Sequence, residues 1–499
     1  MELALAADVS IDIAHGRGIA ERLYRAVRDA IRDGQLRAGE RVPSTRELGV
    51  ALCVSRNTVS DVYERLGREG YLDGRHGSGT FVAMHAPESR RDTRATAAAP
   101  RRVSGWAGRL PRSRSIVPAR EIVHDFRPGL PDLDAFPIAI WRRLAARNLR
   151  ELSNDVGAYG DAAGQPRLRF GIARYLAHSR AVRCDGEDVF ICNGSQQALD
   201  LLGRILVDRG TEVAIENPGY TPAASIFRAA GAKITPVPVD AEGLIVGKLP
   251  PRAKIVYVTP SHQFPLGVTL SLTRRRALLA WAKRSGGVII EDDYDSEFRF
   301  AGRPMESLQG LDRDGTVVYL GTFSKVLFPG LRLGYVVAPP WLQEPFIAAK
   351  WLTDRHASSL EQSVMADFLA EGHFGRHLRR MQRTYSERRG ALVEALARCA
   401  CGYLSIFPSY AGLHVAASLP RGFDVDELVQ RAYEAGVGLY AIGPFYLQRP
   451  SPGLIFGYGA CPVAEIDEGV RRLGGILRSM PLHEETKGHR FRQSAKPIA

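Results

Sequence analysis

Apolar side chains in the first 84 residues follow a helical pattern and then a strand-like one. They recur at helical spacing from Ile19 to Ile31, and Gly34 ends that helix. A second helix begins at about Ser44, and Ser55 is a suitable N-cap for a third. Two short apolar runs then flank a glycine-rich tip at 74–79, which predicts a hairpin. This order predicts an α+β winged helix-turn-helix domain over residues 17–84.

Helical periodicity disappears between residues 85 and 122. This stretch is rich in Arg, Ser, Thr and Ala and has few large apolar residues, so it cannot form a core and is predicted to be a flexible basic linker. Its arginines would attract DNA without sequence preference, although a linker that serves only to connect domains fits equally well. The tail at 484–499 is predicted to be disordered.

In residues 123–483, short β-branched runs alternate with helical patterns. The predicted strands are Val189–Cys192, Val213–Glu216, Lys233–Val239, Ile255–Thr259, Val288–Asp292, Val317–Thr322 and Leu333–Ala338. The alternation predicts an α/β domain with a mainly parallel sheet of about seven strands. In such sheets functional groups collect at the carboxyl ends of the strands.

Composition and charge narrow the possible partners and location. The net charge is +13 and the sequence pI is about 9.6, which indicates a polyanionic partner but does not separate nucleic acid from an anionic membrane. The six cysteines form no CxxC pair and show no metal-site spacing, so we expect no metal and a reducing cytoplasm. Residues 1–20 lack the basic flank of a signal peptide, and no apolar run approaches the length of a membrane span.

One lysine is placed as a cofactor lysine would be. Lys325 follows the predicted strand that ends at Thr322, with Ser324 beside it and Arg332 after a Pro-Gly break. The segment 321–335 resembles the lysine segment of fold-type-I aminotransferases, which use pyridoxal 5'-phosphate (PLP). Such a lysine condenses with the PLP aldehyde as a Schiff base, while hydroxyls and a guanidinium hold the phosphate. A surface lysine in a turn is the simpler interpretation of the segment taken alone.

Other strand ends supply matching pieces. Gly194, Ser195 and Gln196 open a helix after a strand, which suits a phosphate. Tyr220 offers an aromatic face to a flat ring. Asp292 is the candidate partner of the PLP pyridine nitrogen, and Tyr294 is expected to direct its hydroxyl at the phenolic oxygen of the ring.

An upstream segment extends the resemblance to nearly the whole block. Tyr159 in the segment 157–169 matches the family's Y-x-x-x-x-G-x-x-x-L-R pattern. In the family this tyrosine reaches the cofactor phosphate of the neighbouring subunit, which implies a homodimer with PLP sites at the interface. The resemblance also implies a small C-terminal subdomain.

The N-terminal block resembles the DNA-binding domain of GntR regulators. The shared motifs are P-S-T-R-E-L (43–48), V-S-R-N-T-V (54–59) and G-Y-L followed by G-S-G-T-F-V. The resemblance implies that the third helix enters the major groove with its N-terminal end first, so that Arg56, Asn57 and Thr58 meet base edges and phosphates. It places the remaining candidates on the DNA backbone or in the minor groove: Ser44 and Arg46 on the second helix, and His76 and Ser78 in the wing.

Two departures from the aminotransferase pattern limit the expected chemistry. Phe264 stands where the family has an asparagine that binds the phenolic oxygen, so His262 or Gln263 would have to replace it. The wording T-P-S-H-Q-F-P-L-G (259–267) resembles the MocR branch of GntR regulators. Pro452 or Gly453 stands where amino-acid-processing members carry an arginine. The effector then lacks an α-carboxylate, or PLP itself is the signal, or another arginine such as Arg355 compensates.

These features together predict a PLP-responsive transcription regulator that binds double-stranded operator DNA as a cytoplasmic homodimer. Its effector is expected to be PLP or an amino compound. The alternative is an active aminotransferase carrying a DNA-binding domain. A third possibility is a DNA-binding protein whose C-terminal block is purely structural.

Overall fold

The computed structural model describes residues 2–6, 9–12, 18–75, 77–84, 103–111, 122–150, 154–300 and 306–480. The chain divides into two compact units, Met1–Arg102 and Val103–Ala499. The predicted tail at 484–499 and His76 lie outside the described residues, as does most of the predicted linker.

The described residues of the first unit form three helices and two small antiparallel sheets. Its strands are β1 (Glu2–Ala6), β2 (Val9–Asp12), β3 (Arg41–Val42), β4 (Leu72–Arg75) and β5 (Gly79–Val82), and its helices are α1 (Ile19–Arg32), α2 (Thr45–Leu52) and α3 (Arg56–Arg68). Strands β1 and β2 pair with each other, and β5 lies between β3 and β4. Strands β4 and β5 form the predicted hairpin.

Local sequence explains where α2 and α3 begin. Ser44 accepts a hydrogen bond from the Glu47 amide at 3.2 Å, and the Glu47 carboxylate accepts one from the Ser44 amide at 2.8 Å. Cys53 ends α2 in the left-handed conformation, and the Ser55 hydroxyl then caps α3 by accepting from the Thr58 amide. These caps set the turn between the two helices, and their apolar faces close on the face of α1.

The second unit contains the large sheet. Its helices are α4 (Gly105–Gly108), α5 (Ile138–Arg150), α6 (Asn154–Gly157), α7 (Pro166–Arg180), α8 (Ser195–Leu206), α9 (Thr221–Ala230), α10 (Leu272–Ser285), α11 (Leu308–Leu311), α12 (Pro340–Asp354), α13 (Ser359–Ala370), α14 (His373–Cys399), α15 (Val425–Glu434) and α16 (Val463–Ser479). Its strands are β6 (His124–Asp125), β7 (Val189–Cys192), β8 (Glu212–Asn217), β9 (Lys233–Asp240), β10 (Gly243–Leu244), β11 (Ile255–Val258), β12 (Val288–Asp293), β13 (Val317–Thr322), β14 (Gly334–Val337), β15 (Ser405–Ile406), β16 (His414–Ser418), β17 (Val437–Gly438), β18 (Tyr440–Ala441) and β19 (Gly453–Gly457).

The strand order in the large sheet is β10-β9-β8-β11-β12-β13-β14-β7. Strands β9, β8, β11, β12 and β13 pair in parallel, while β14 is antiparallel to both of its neighbours, β13 and β7. Strand β7 therefore runs in the same direction as β13. All seven predicted strands are present, and the two-residue edge strand β10 makes the eighth. Strands β7, β11 and β13 are buried along their whole length, as expected for a sheet covered on both faces.

A smaller antiparallel sheet with the order β15-β16-β19-β18 packs with α14, α15 and α16 at the C-terminal end of the unit. None of the described helices is both long enough and apolar enough to span a bilayer.

Residues 103–111 belong to the stretch expected to be a flexible linker, but they are structured. Ser104 caps the short helix α4, and the Arg109 guanidinium donates two hydrogen bonds, at 3.0 and 2.8 Å, to the Ala229 carbonyl in the last turn of α9. A cation at the carboxyl end of a helix satisfies free carbonyls and opposes the helix dipole. For these nine residues the expectation of a flexible linker is therefore corrected by a specific anchor.

Candidate cofactor site and DNA interface

Lys325 follows β13 at the carboxyl edge of the large sheet. Its Nζ donates a 2.9 Å hydrogen bond to the Gly129 carbonyl. Gly129 has φ +77°, a left-handed backbone conformation that favours glycine. Burial lowers the pKa of Lys325, and Arg332 lowers it further, while Asp295 and Asp292 oppose the shift. The amine form that condenses with an aldehyde is thus favoured.

Asp292 lies on the adjacent strand β12 and is only 5% exposed. Its Oδ2 accepts a 2.6 Å hydrogen bond from the Tyr257 hydroxyl, whereas its Oδ1 is buried without a hydrogen-bond partner among the described residues. Burial raises the pKa of Asp292 to about 6, against the opposing effect of the Tyr257 hydrogen bond. A buried acceptor without a partner is costly, so Oδ1 suits a donor such as the N–H of a pyridinium.

The residues predicted to hold the cofactor phosphate, the anion cup, follow β7 and β13 at the edge of the sheet. Gly194, at φ +83°, precedes α8, so the free amides of Ser195 and Gln196 open the helix. The Arg332 guanidinium donates to the Asn193 carbonyl at 3.0 Å, and a Cβ on Gly194 would come within 3.0 Å of that guanidinium. Thr322 and Ser324, at the end of β13, are buried, and the Ser324 amide donates to the Thr322 hydroxyl at 3.2 Å.

A hydrogen-bond network centred on Asp354 holds two side chains next to the anion cup. Asp354 on α12 accepts hydrogen bonds from the side chains of Asn193 at 2.7 Å and Gln197 at 2.6 Å. Lys350, which is fully buried, donates to the other Asp354 oxygen at 2.6 Å. Asp354 and Lys350 are not among the site residues predicted from the sequence. They reach Asn193 and Gln197 through contacts between segments about 160 residues apart, which no local sequence pattern encodes.

Two predicted cofactor residues, Tyr220 and Tyr294, both pack against Phe264. Tyr220 packs edge-on against Phe264 at 5.9 Å, and its hydroxyl donates to the Gln196 side chain at 3.3 Å. The Tyr294 ring also packs edge-on against Phe264, with 6.1 Å between the ring centroids.

The two proposed replacements for the family's asparagine differ in their contacts. Gln263 is buried, and its side-chain amide donates to the carbonyls of Pro218 at 2.8 Å and Phe264 at 2.6 Å. His262 is also buried, and its ring contacts Asp295 and the Tyr294 hydroxyl. A direct contact of either side chain with a cofactor stays a prediction.

Tyr159 lies apart from these groups on a single chain. Its side chain is 81% exposed, and it contacts the guanidinium of Arg355 at 4.8 Å and the ring of His356 at 6.2 Å. Such an exposed aromatic side chain is available to a second subunit, as its predicted role requires.

The predicted DNA-binding residues lie at the start of α2, at the start of α3 and in the hairpin. Arg46, Arg56, Asn57 and Ser78 are exposed. Ser44 is exposed as well, but its hydroxyl is used as the α2 cap. Thr58 is partly buried, and its hydroxyl shares a 2.8 Å hydrogen bond with Ser55. The exposed side chains of Arg56 and Asn57 therefore lie at the N-terminal end of α3, where the Arg56 guanidinium also donates to the Thr45 hydroxyl at 3.3 Å.

We expect Arg56→Ala to reduce the affinity for specific DNA by about ten- to a hundredfold, the usual value of one bidentate base contact. Non-specific affinity should fall much less. Titration of a selected duplex and a scrambled duplex at one salt concentration measures both effects. Arg68→Ala, at the far end of the same helix, is the matched control. Equal losses on the two duplexes would contradict base reading by Arg56.

Comparison with known proteins agrees with this two-part architecture. Residues 19–82 match the family "Bacterial regulatory proteins, gntR family", and residues 130–473 match "Aminotransferase class I and II". Both parts of the predicted fold are thereby confirmed.

Similar proteins carry both parts or the second one alone. The chain is 40% identical to "Probable rhizopine catabolism regulatory protein MocR" of Rhizobium meliloti over 94% of each chain. It is 30% identical to "HTH-type pyridoxine biosynthesis transcriptional regulator PdxR" of Corynebacterium glutamicum over 89% of this chain and 92% of the other.

Among solved structures, LysN, the α-aminoadipate aminotransferase of Thermus thermophilus complexed with N-(5'-phosphopyridoxyl)-L-leucine, is 34% identical with a TM-score of 0.69. The match covers 76% of this chain and 97% of that one. The chain therefore belongs to the MocR-type transcription regulators, in which a GntR winged helix is joined to a class I and II aminotransferase domain.

Proposed function

We propose that this protein is a DNA-binding transcription regulator that binds PLP through Lys325 and responds to the state of that site. One observation carries the proposal. The unpartnered Oδ1 of Asp292, the partly buried amine of Lys325 and an anion cup lie at one edge of one sheet. PLP presents a pyridine nitrogen, an aldehyde and a phosphate, which match these three groups in kind.

Each part of the pocket has an assigned task. Asp292 would hold the pyridine nitrogen, and Tyr220 would cover the ring face. The phosphate would be held by Gly194, Ser195, Gln196, Thr322, Ser324 and Arg332, and by Tyr159 of a second copy of the chain. When bound, the cofactor supplies an aldehyde that condenses with primary amines. An amino compound could therefore change the state of the site by competing with Lys325.

The winged helix would carry that state to DNA. A regulator whose sites lie at the interface of a homodimer presents two copies of α3, which suits two half-sites on a duplex. A DNA-binding regulator of this kind would act in the cytoplasm. The relation to PdxR supports PLP itself as one candidate effector.

Turnover as an aminotransferase is the second candidate function. The intact pocket groups and the aminotransferase relatives favour it. The missing arginine near Gly453 counts against ordinary α-amino acids as substrates, because their carboxylates lack a guanidinium partner there. Arg355 is the alternative guanidinium for such a carboxylate, and it lies beside Tyr159. Conversion of the bound cofactor to its amine form with release of one oxo acid, followed by transfer of the amino group to a second oxo acid over many cycles, would favour the enzyme.

The anchor at Arg109 offers a test of how the pocket state reaches the winged helix. Helix α9 begins directly after Tyr220 in the pocket and ends at the carbonyl that Arg109 holds. We expect Arg109→Ala to leave PLP affinity within about twofold of wild type. It should remove about half or more of the PLP-dependent change in DNA affinity, because the hydrogen bonds of Arg109 join α9 to the segment 103–111. Fluorescence anisotropy of labelled duplex with and without PLP measures this change.

Arg228→Ala is the matched control, because Arg228 is an exposed arginine on the same helix. An unchanged PLP effect in Arg109→Ala would show that α9 and this segment do not transmit the signal. A loss of the same size in both variants would point instead to a general charge effect.

A further inference from the structure

A buried polar cluster lies behind Tyr294. His262 Nδ1 is 3.0 Å from both carboxylate oxygens of Asp295 and 3.0 Å from the Tyr294 hydroxyl oxygen. The same hydroxyl lies 2.9 Å from the His262 carbonyl oxygen. Both hydrogen bonds of the tyrosine hydroxyl are thus made to one residue.

The partners of His262 decide where its proton lies. Asp295 Oδ2 accepts a hydrogen bond from the Leu413 amide at 3.1 Å, so the carboxylate acts as an acceptor on that side too. An acceptor facing Nδ1 requires that Nδ1 carry the proton. The Nδ1–H group then donates to Asp295 and to the Tyr294 oxygen, while the Tyr294 hydroxyl donates to the His262 carbonyl.

Metal binding is a rival interpretation of the cluster. His262, Asp295 and His414 offer ligand atoms within 4.8 Å of one another. However, His414 Nε2 is engaged with the Pro265 carbonyl at 3.1 Å. A Cβ on Gly412 would lie 2.0 Å from the His262 ring and 2.5 Å from Asp295, so the backbone packs directly against the pair. Close packing with internal hydrogen bonds favours a positioning network.

We infer that His262, held by Asp295, is a positioning residue for the Tyr294 hydroxyl. When PLP is bound, the one hydroxyl proton turns from the His262 carbonyl to the phenolic oxygen of PLP, while His262 Nδ1–H continues to hold the tyrosine oxygen. This inference rests on the proposed function. Phe264 occupies the place of the family's asparagine, which leaves Tyr294 as the hydroxyl expected to face that oxygen. A hydrogen bond donated by His262 to the tyrosine oxygen polarises the Tyr294 O–H bond, which makes the hydroxyl a stronger donor. His262 thus acts on the cofactor through Tyr294 without touching it.

The consequence can be measured in the proton shared between the phenolic oxygen and the Lys325 nitrogen. A donor to the phenolic oxygen stabilises its negative charge, so weakening that donor makes the shared proton harder to remove. The other charged or titratable groups around Lys325 and Tyr294 are Glu216, Asp292, Asp293, Asp295, Arg332 and His414. These groups are identical in all the variants compared, so differences between variants report His262 and Tyr294.

The experiment is a pH titration of the visible absorption of the full-length protein loaded with PLP. Asparagine places an amide nitrogen near the Nδ1 position, whereas glutamine places it nearer Nε2. We expect Tyr294→Phe to raise the midpoint by about one pH unit, as for the loss of one hydrogen bond to a charged group. His262→Gln should raise it by a smaller amount, and His262→Asn should stay close to wild type. The double variant His262→Gln/Tyr294→Phe should match Tyr294→Phe alone.

Several results would overturn the inference. Equal midpoints in the asparagine and glutamine variants would do so, as would additive shifts in the double variant, because His262 would then not act through Tyr294. If His262→Gln fails to fold, a large shift in His262→Asn decides against the inference, and a wild-type midpoint there supports it. Wild-type protein that gains no visible absorption with PLP would instead refute the proposed function.

Discussion

Replacing Lys325 with alanine is expected to abolish the visible absorption that PLP gives with the wild-type protein. The Lys325 amine is the group placed to form the covalent link, and its lowered pKa favours the reactive form. Loss of that link should weaken PLP binding by about a hundredfold or more, with the remaining affinity due to the anion cup and Asp292. Absorption spectra and dialysis against a PLP series measure the two effects.

The control for this variant is Lys248→Ala, which removes an exposed lysine from a short 3₁₀ turn. It should bind PLP as the wild type does, because Lys248 is not one of the proposed site residues. If PLP reacted with surface amines in general, the two variants would lose absorption alike. Visible absorption that persists in Lys325→Ala and falls in Lys248→Ala would place the cofactor elsewhere.

Replacing Asp292 with asparagine is expected to reduce PLP affinity by about ten- to a hundredfold at pH 8. The change removes the charge that faces the pyridine nitrogen, and a hydrogen bond to a charged group contributes about 1.5–3 kcal/mol. The shape of the side chain is nearly kept, so the protein should fold normally. Equilibrium titration of wild type and variant at several pH values measures the loss.

The pH dependence sharpens this test. The pKa of Asp292 is raised to about 6, so the carboxylate is ionised above that pH and becomes neutral below it. Wild-type affinity should therefore fall towards that of Asp292→Asn as pH drops from 8 to 5. Titration of PLP itself cancels in the ratio of the two affinities. A ratio that stays constant with pH would contradict the assignment of Asp292 to the pyridine nitrogen.

Local sequence signals were sufficient for the main elements of both units. Ser44 and Ser55 cap the helices that their positions predict, and the β-branched runs around Val189 and Val317 form fully buried strands. The candidates Asp292 and Lys325 fall on neighbouring parallel strands or directly after them, so one edge of the sheet brings them together. The order of the strands is therefore enough to bring these two candidates to the same edge of the sheet.

Other features depend on contacts that no local pattern encodes. Asp354 supports the anion cup from 161 residues away, and Arg109 holds a carbonyl 120 residues further along the chain. The two-residue strand β10 is too short to show periodicity. His262 is a predicted replacement for the family's asparagine, and the contacts of its ring with Asp295, Tyr294 and the backbone at Gly412 join segments that are far apart in the sequence.

The central claim is that the state of the PLP site and the binding of DNA are linked. The most direct measurement is the affinity for a duplex selected from a random-sequence pool, with and without saturating PLP, together with PLP affinity with and without that duplex. We expect both ratios to differ from one by the same factor, as thermodynamic linkage requires, and both to approach one in Lys325→Ala. Wild-type protein that binds the duplex equally well with and without PLP would contradict the account.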